Sequence, residues 1–379
     1  MTYSAPLSLV DADVHNFVET SELLPYLPAY WRDFLKLRGR PVPPPLHVSP
    51  IGFNRGDAVP PGGGMAGSDP QHVLEHHFDA YDIQFGVLNG SSILGISLNG
   101  DPDLGNVVAS AYNDVLVEKW LAHSPRFGGS LLVNHADPLG AAREIERLGT
   151  HPQIVQIIMA SGSNCLFGQR FFHPIYEAAH ALNLPVAIHP GTEGVGTAFP
   201  ATPAGHPTRY MEWHNILPLN YMGHINSLVC EGVFEKFPGL QFVAIEGGIS
   251  WMAHLMWRMD KNFKALRSTT PWLKKLPSEY IREGVFLTTQ PIEEPENPRH
   301  LTQIIEMIRL ENNVLFSSDY PHWDFDNPKM ALPPMERELK AKILWQNAAR
   351  LYRLPRENPG ETPVLLRENQ NGLPREVLA

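Results

Sequence analysis

Asp13 and His15 stand two positions apart in Asp11-Ala12-Asp13-Val14-His15, directly after the apolar run Leu7–Ala12. In extended backbone, side chains two apart project to the same side, an arrangement that suits two ligands of one metal ion. His189 ends Val186-Ala187-Ile188 and is followed by Pro190-Gly191. Glu246 ends Val243-Ala244-Ile245 and precedes two glycines. Asp319 follows Leu315-Phe316-Ser317-Ser318 and opens Asp319-Tyr320-Pro321-His322-Trp323-Asp324. Each pattern alone is common, and a structural polar rim is the alternative. Taken together, Asp13, His15, His189 and Asp319 make a set of two carboxylates and two imidazoles that fits one divalent ion, Zn²⁺ or Mn²⁺. Such an ion lowers the pKa of water from 15.7 to about 7 or polarises a carbonyl. Asp319 and Glu246 are then the catalytic candidates for accepting and delivering a proton. His322 would orient Asp319 or stabilise an oxyanion, or else serve only as a hydrogen-bonding residue of its turn.

These residues need a scaffold that gathers strand ends. Eight short apolar runs, Leu7–Ala12, Phe85–Leu88, Ser130–Val133, Ile154–Met159, Pro185–His189, Gln241–Glu246, Val285–Thr288 and Val314–Ser318, read as strands buried on both faces. Helical periodicity fills the segments between them: Val73, His77 and Tyr81 within 71–81, then 104–123, 225–237, 297–310 and 335–352. Eight strands, most followed by a helix, predict a (β/α)₈ TIM barrel. The alternative, a doubly wound open sheet, lacks its G-x-G-x-x-G signature. Barrel enzymes carry their chemistry at the C-terminal ends of the strands, where all the candidates fall.

The chain has 379 residues, 36 of them proline, which is well beyond a typical barrel of roughly 250. The surplus lies in proline-rich insertions near 38–67 and 190–218 and in a tail, 355–379. We expect one barrel over 1–354 with those insertions as lids or binding loops, and a C-terminal extension that wraps the surface or packs on a neighbouring subunit. A net charge of −10 gives no footprint for nucleic acid or anionic membrane. No run approaches the roughly 20 apolar residues of a membrane span, and no signal-peptide pattern opens the chain. Cys165 and Cys230 form no motif and read as unreactive thiols of a cytoplasmic protein.

The D-x-H pair, His189-Pro190-Gly191 and Ser317-Ser318-Asp319-Tyr320-Pro321-His322-Trp323-Asp324 resemble the amidohydrolase-2 family of the amidohydrolase superfamily. Leu24-Pro25-Tyr26-Leu27-Pro28, Phe234-Glu235-Lys236-Phe237-Pro238 and Asn347-Ala348-Ala349-Arg350-Leu351-Tyr352 extend the resemblance over Leu9 to Leu354. It implies a metal held by Asp13, His15, His189 and Asp319, with Asp319 also shuttling a proton, and a homodimer. Glu246 departs from the pattern, since several decarboxylases of the family have histidine there.

A metal-dependent hydrolase of a small cyclic or conjugated amide, lactone or carbonyl compound is the first expectation for function. A non-oxidative decarboxylase of an aromatic or unsaturated acid is the alternative, and a non-catalytic ligand-binding barrel the third. Arg55 is a candidate clamp for a substrate carboxylate or a solvated loop residue. His214 and His224 are candidate pocket residues, with packing roles as the alternative, and His135 ends the third strand with no assigned role. The cluster His72, His76 and His77 is expected on a solvated helix face.

Overall fold

A computed structural model of the chain describes residues 8–44 and 50–354. Leu7, part of the proline-rich 38–67 insertion and the whole 355–379 extension lie outside the described residues. Eight parallel strands follow one another in sequence order: β1 (Val10–Val14), β2 (Phe85–Leu88), β3 (Phe127–Leu132), β4 (Ile154–Ala160), β5 (Val186–His189), β6 (Phe242–Ala244), β7 (Val285–Thr288) and β8 (Val314–Leu315). Every strand residue is buried, as expected where helices cover the outside and side chains fill the inside. The ring is closed by Ala12 N donating to Phe316 O (2.9 Å), His15 N to Tyr320 O (2.7 Å) and Asp319 N to Asp13 O (3.1 Å). The fold is the expected (β/α)₈ barrel.

Local chemistry explains the helix starts. Asp101 accepts from the backbone N–H groups of Asp103 and Leu104, ahead of Pro102 in the helix Pro102–Val115. Asp69 accepts from His72 N ahead of Pro70. Where small residues replace bulky ones in the strands, rings fill the space: a Cβ on Gly86 would collide with Phe78, and one on Gly128 with Phe85.

Three expectations shift. The first strand runs to Val14, so Asp13 lies inside it. The last strand has only two residues, because Ser317 and Ser318 tie in through their side chains: Gln290 N donates to Ser317 Oγ (2.9 Å), and Ser318 Oγ to Asp11 Oδ2 (2.5 Å). The solvated histidine face is corrected as well. His77 is fully buried, its Nε2 2.8 Å from Asp11 Oδ2 and its ring stacked 4.4 Å from Tyr320. The segment Leu74–Asp79 is π-helical, and the wider turn sets His77 and Phe78 inward together, while His72 and His76 are half-buried.

Candidate metal centre

Asp13 in β1, His15 just beyond it, His189 at the end of β5 and Glu246 two residues after β6 each bring one ligand atom within 4.8 Å of the others. His189 Nε2 lies 3.5 Å from Asp13 Oδ2 and 3.2 Å from Glu246 Oε2, and His15 Nε2 lies 3.6 Å from Asp13 Oδ1. Asp319 belongs to an adjoining group: its Oδ1 is 2.8 Å from His15 Nε2 and 2.7 Å from His322 Nδ1. The geometry therefore places Glu246 among Asp13, His15 and His189, and Asp319 at their edge.

Tautomers are set from behind. His15 Nδ1 donates to Gly90 O (2.5 Å) and His189 Nδ1 to Pro190 O (3.0 Å), which leaves Nε2 of each ring as the atom facing the centre. Asp13 Oδ2, His15 Nε2 and His189 Nε2 are buried, and none has a hydrogen-bond partner. Buried polar atoms without partners are costly, and three facing one point form a cluster suited to a single divalent ion. A polar chain supports Asp13 from the barrel interior. Asn89 Nδ2 donates to Asp13 Oδ1 (2.8 Å), Ser130 and Gln156 donate to Asn89, and Tyr352 donates to Gln156 (3.0 Å).

Burial dominates the electrostatics. It works against charge on His15, but the Asp13 and Asp319 carboxylates outweigh it and raise that imidazole to about 9. Burial likewise opposes charge on Asp13, yet His15 and His189 bring it down to about 2. For Glu246, burial and the neighbouring carboxylates of Asp319 and Asp324 push the carboxyl well above its usual range. Asp319 is also pushed well up by burial, despite the His15 contact. Burial, then His15, drives His322 well below its ordinary value, so it is a neutral imidazole. Glu246 (φ 58°) and Asp319 (φ 60°) both take left-handed backbone, unusual for residues with a Cβ. In each case the turn aims a carboxylate at the centre.

A cavity of about 350 Å³ opens onto His15, His189, Glu246 and His322. Arg40–Pro44 and Phe53 of the first insertion wall one part, and Pro190–Thr192, Val195, Tyr210 and Trp213 of the second wall another. Glu193 anchors the second insertion: its buried carboxylate accepts from Trp213 Nε1 (3.0 Å), Gly191 N (3.1 Å) and Ser161 Oγ.

The remaining candidates are placed as follows. His214 approaches Asp324 Oδ2 at 2.9 Å. Arg55 pairs with Asp57 (2.6 Å) and stacks over Phe325 (4.4 Å), outside the cavity lining. His224 is buried against Phe167, with Nε2 2.8 Å from Ser161 O, and lines a separate cavity. His135 is buried beside Phe167 and Phe172. Sequence reasoning passed over Arg40, Glu193 and Gln290. Gln290 Nε2 bridges Asp319 Oδ2 (3.1 Å) and Asp324 Oδ2 (2.7 Å). Its position just past β7 was the available signal.

Comparison with known proteins gives the context. The chain is 26% identical over 290 residues to the γ-resorcylate decarboxylase of a Polaromonas species, covering 71% of this chain and 82% of the relative. The 5-carboxyvanillate decarboxylase of Sphingomonas paucimobilis has a similar structure (TM-score 0.64, 24% identity, 92% of this chain and 99% of that one). So does a dihydroxybenzoic acid decarboxylase from Polaromonas, solved with manganese and 2-nitroresorcinol (TM-score 0.64, 20% identity, 92% and 97%). A family model described as amidohydrolase matches residues 10–354. The chain belongs to this amidohydrolase family.

Proposed function

We propose that this chain is a metal-dependent carboxy-lyase that removes CO₂, without oxidation, from a small aromatic or unsaturated acid. The observation that carries the reading is the cavity of about 350 Å³, which is walled by Phe53, Tyr210, Trp213, Ile93 and Leu94 and ends on His15, His189, Glu246 and His322. Its volume is at the small end for ligand sites and suits one ring. The similarity to γ-resorcylate decarboxylase supports the same reading and favours it over the hydrolase expected first.

Asp13, His15 and His189 would hold the ion, with Glu246 beside them. Manganese is the first choice, from the solved decarboxylase, and zinc the second. When bound, the ion supplies positive charge that fixes the substrate carboxylate together with a neighbouring hydroxyl or carbonyl. Arg40 lines the cavity and attracts the acid. Asp319, whose carboxyl burial pushes well above its ordinary range, would deliver a proton to the carbon as the carbon–carboxyl bond breaks. The electron pair of that bond goes to the carbon, and CO₂ leaves. His322 Nδ1, 2.7 Å from Asp319 Oδ1, keeps the carboxyl oriented. Metal-loaded protein incubated with hydroxybenzoates should release CO₂ and the decarboxylated ring with no ¹⁸O taken up from labelled water.

Glu246 favours hydrolysis as a second reading. It is a buried carboxyl 3.2 Å from His189 and could take the proton of an attacking water. Incorporation of ¹⁸O into product without CO₂ release would select it. A cytoplasmic homodimer completes the proposal, resting on free Cys165 and Cys230 and on exposed Leu166, Phe199 and Leu266 around the second cavity. Light scattering at the mass of one chain would reject the dimer.

A further inference from the structure

Glu246 faces a second group of ligand-type atoms. His214, in the helix Tyr210–His214 of the second insertion, and Asp324, in the segment after β8, each bring one donor atom within 4.8 Å of the Glu246 carboxylate and of each other. His214 Nε2 stands 2.9 Å from Asp324 Oδ2, yet it has no hydrogen-bond partner. Glu246 itself is 6% exposed, and its carboxylate accepts no hydrogen bond among the described residues. It therefore lies between two clusters, Asp13–His15–His189 and His214–Asp324, with no protein donor of its own.

The charge count points the same way. Asp13, Glu246, Asp319 and Asp324 are buried or nearly so, and among the described residues none pairs with a lysine or arginine. Buried carboxylates need compensation by a cation or by protons. Asp319 holds a proton in the proposed reaction, so three carboxylates remain; one divalent ion balances two of them, and the third still lacks a countercharge from lysine or arginine. We propose that His214, Glu246 and Asp324 hold a second divalent cation, with Glu246 as the carboxylate shared between two ions. Two-metal sites place their ions roughly 3.5–4 Å apart, a spacing that a bridging carboxylate spans. One imidazole and two carboxylates suit Mn²⁺, Fe²⁺ or Zn²⁺. Because His214 lies in the insertion and Asp324 and Glu246 on the barrel rim, this ion also pins the insertion over the cavity. The proposal goes beyond the carboxy-lyase reading and does not depend on it.

The test uses the full chain, stripped with chelator and titrated with Mn²⁺. Metal content is read by mass spectrometry and the spin state by electron paramagnetic resonance. The native protein should take up two equivalents per chain and show a spin-coupled pair. His214→Ala should take up one equivalent and show an isolated six-line signal, and Asp324→Asn, which nearly preserves side-chain shape, should do the same. Native protein that saturates at one equivalent overturns the proposal, as does either variant retaining two with its circular dichroism unchanged. Decarboxylation by a one-metal native protein would sink the second ion and leave the proposed function standing.

Discussion

Asp11 ties β1 to the segment after β8 and to His77, so its loss should destabilise the barrel. Its Oδ1 accepts from Ser318 N (2.9 Å) and, more loosely, from Asp13 N (3.2 Å), while Oδ2 accepts from Ser318 Oγ (2.5 Å) and His77 Nε2 (2.8 Å). All three partners are fully buried, and burial holds His77 below its ordinary pKa, so it donates as a neutral imidazole. Asp11→Ala leaves Ser318 N–H without its acceptor and His77 Nε2–H with only the Ser318 hydroxyl, 3.3 Å away. At roughly 1–3 kcal/mol for the unsatisfied buried donor, with about 1 kcal/mol more for the weakened His77 contact, the loss is about 3 kcal/mol. At about 2 °C per kcal/mol, the low end for large domains, Tm should fall by about 6 °C. Asp11→Asn is the informative control. Its oxygen can still receive Ser318 N–H, and its amide can donate to the Ser318 hydroxyl or to His77 in its other tautomer, so the cost should be about 1 kcal/mol. Thermal unfolding by circular dichroism of both variants decides the matter. A fall in Tm below about 2 °C for Asp11→Ala, or equal effects from the two substitutions, would refute the account.

Asp319→Asn should lower kcat by about 10²–10⁴, the usual scale for a general acid, with first-site metal content unchanged; near-native turnover would remove Asp319 from proton delivery. In the metal-free protein the His15 pKa is raised from 6.5 to about 9, so its stabilising contribution is fully present below pH 6.5 and is lost as pH rises through 9. Metal needs the unprotonated Nε2, so binding at neutral pH should release about one proton from His15; calorimetric heats independent of buffer ionisation would contradict this. Glu193→Ala removes the acceptor of Trp213 Nε1; one charge-assisted hydrogen bond of about 1.5 kcal/mol corresponds to a roughly tenfold rise in KM. Faster proteolysis within 190–218 should accompany it, and unchanged KM and cleavage would exclude the anchor.

The barrel was legible because its strands are short continuous apolar runs, and the expected ligands were legible because each follows directly on such a run. What stayed hidden are contacts between segments remote in sequence. Nothing in Gly191-Thr192-Glu193 indicates that Glu193 will receive the indole of Trp213, since that depends on how an insertion folds back. Arg55 and Arg40 both sit in the first insertion, and only the three-dimensional path of the loop puts Arg40 at the cavity and Arg55 against Asp57. His77 shows the same limit from the core side. Its spacing with Val73 and Tyr81 favoured an inward face and its neighbours favoured solvent, and the π-helical turn decided between them.

The closure between β1 and β8 has a consequence for how the protein is made. Asp11 and Ser318 meet across 307 residues of sequence, and Asp13 and Asp319 are joined through the same seam. A chain still emerging from the ribosome can assemble seven strands, but the flanks of β1 and β7 stay open until the last segment arrives. Open strand flanks invite pairing with other chains, and contacts this distant in sequence form slowly. Ring closure and completion of the ion-binding pocket are thus a single late event. Nascent protein passes through a stage that carries Asp13, His15, His189 and Glu246 but not Asp319, and a shortage of metal during synthesis should be felt at that stage as aggregation rather than as slow turnover.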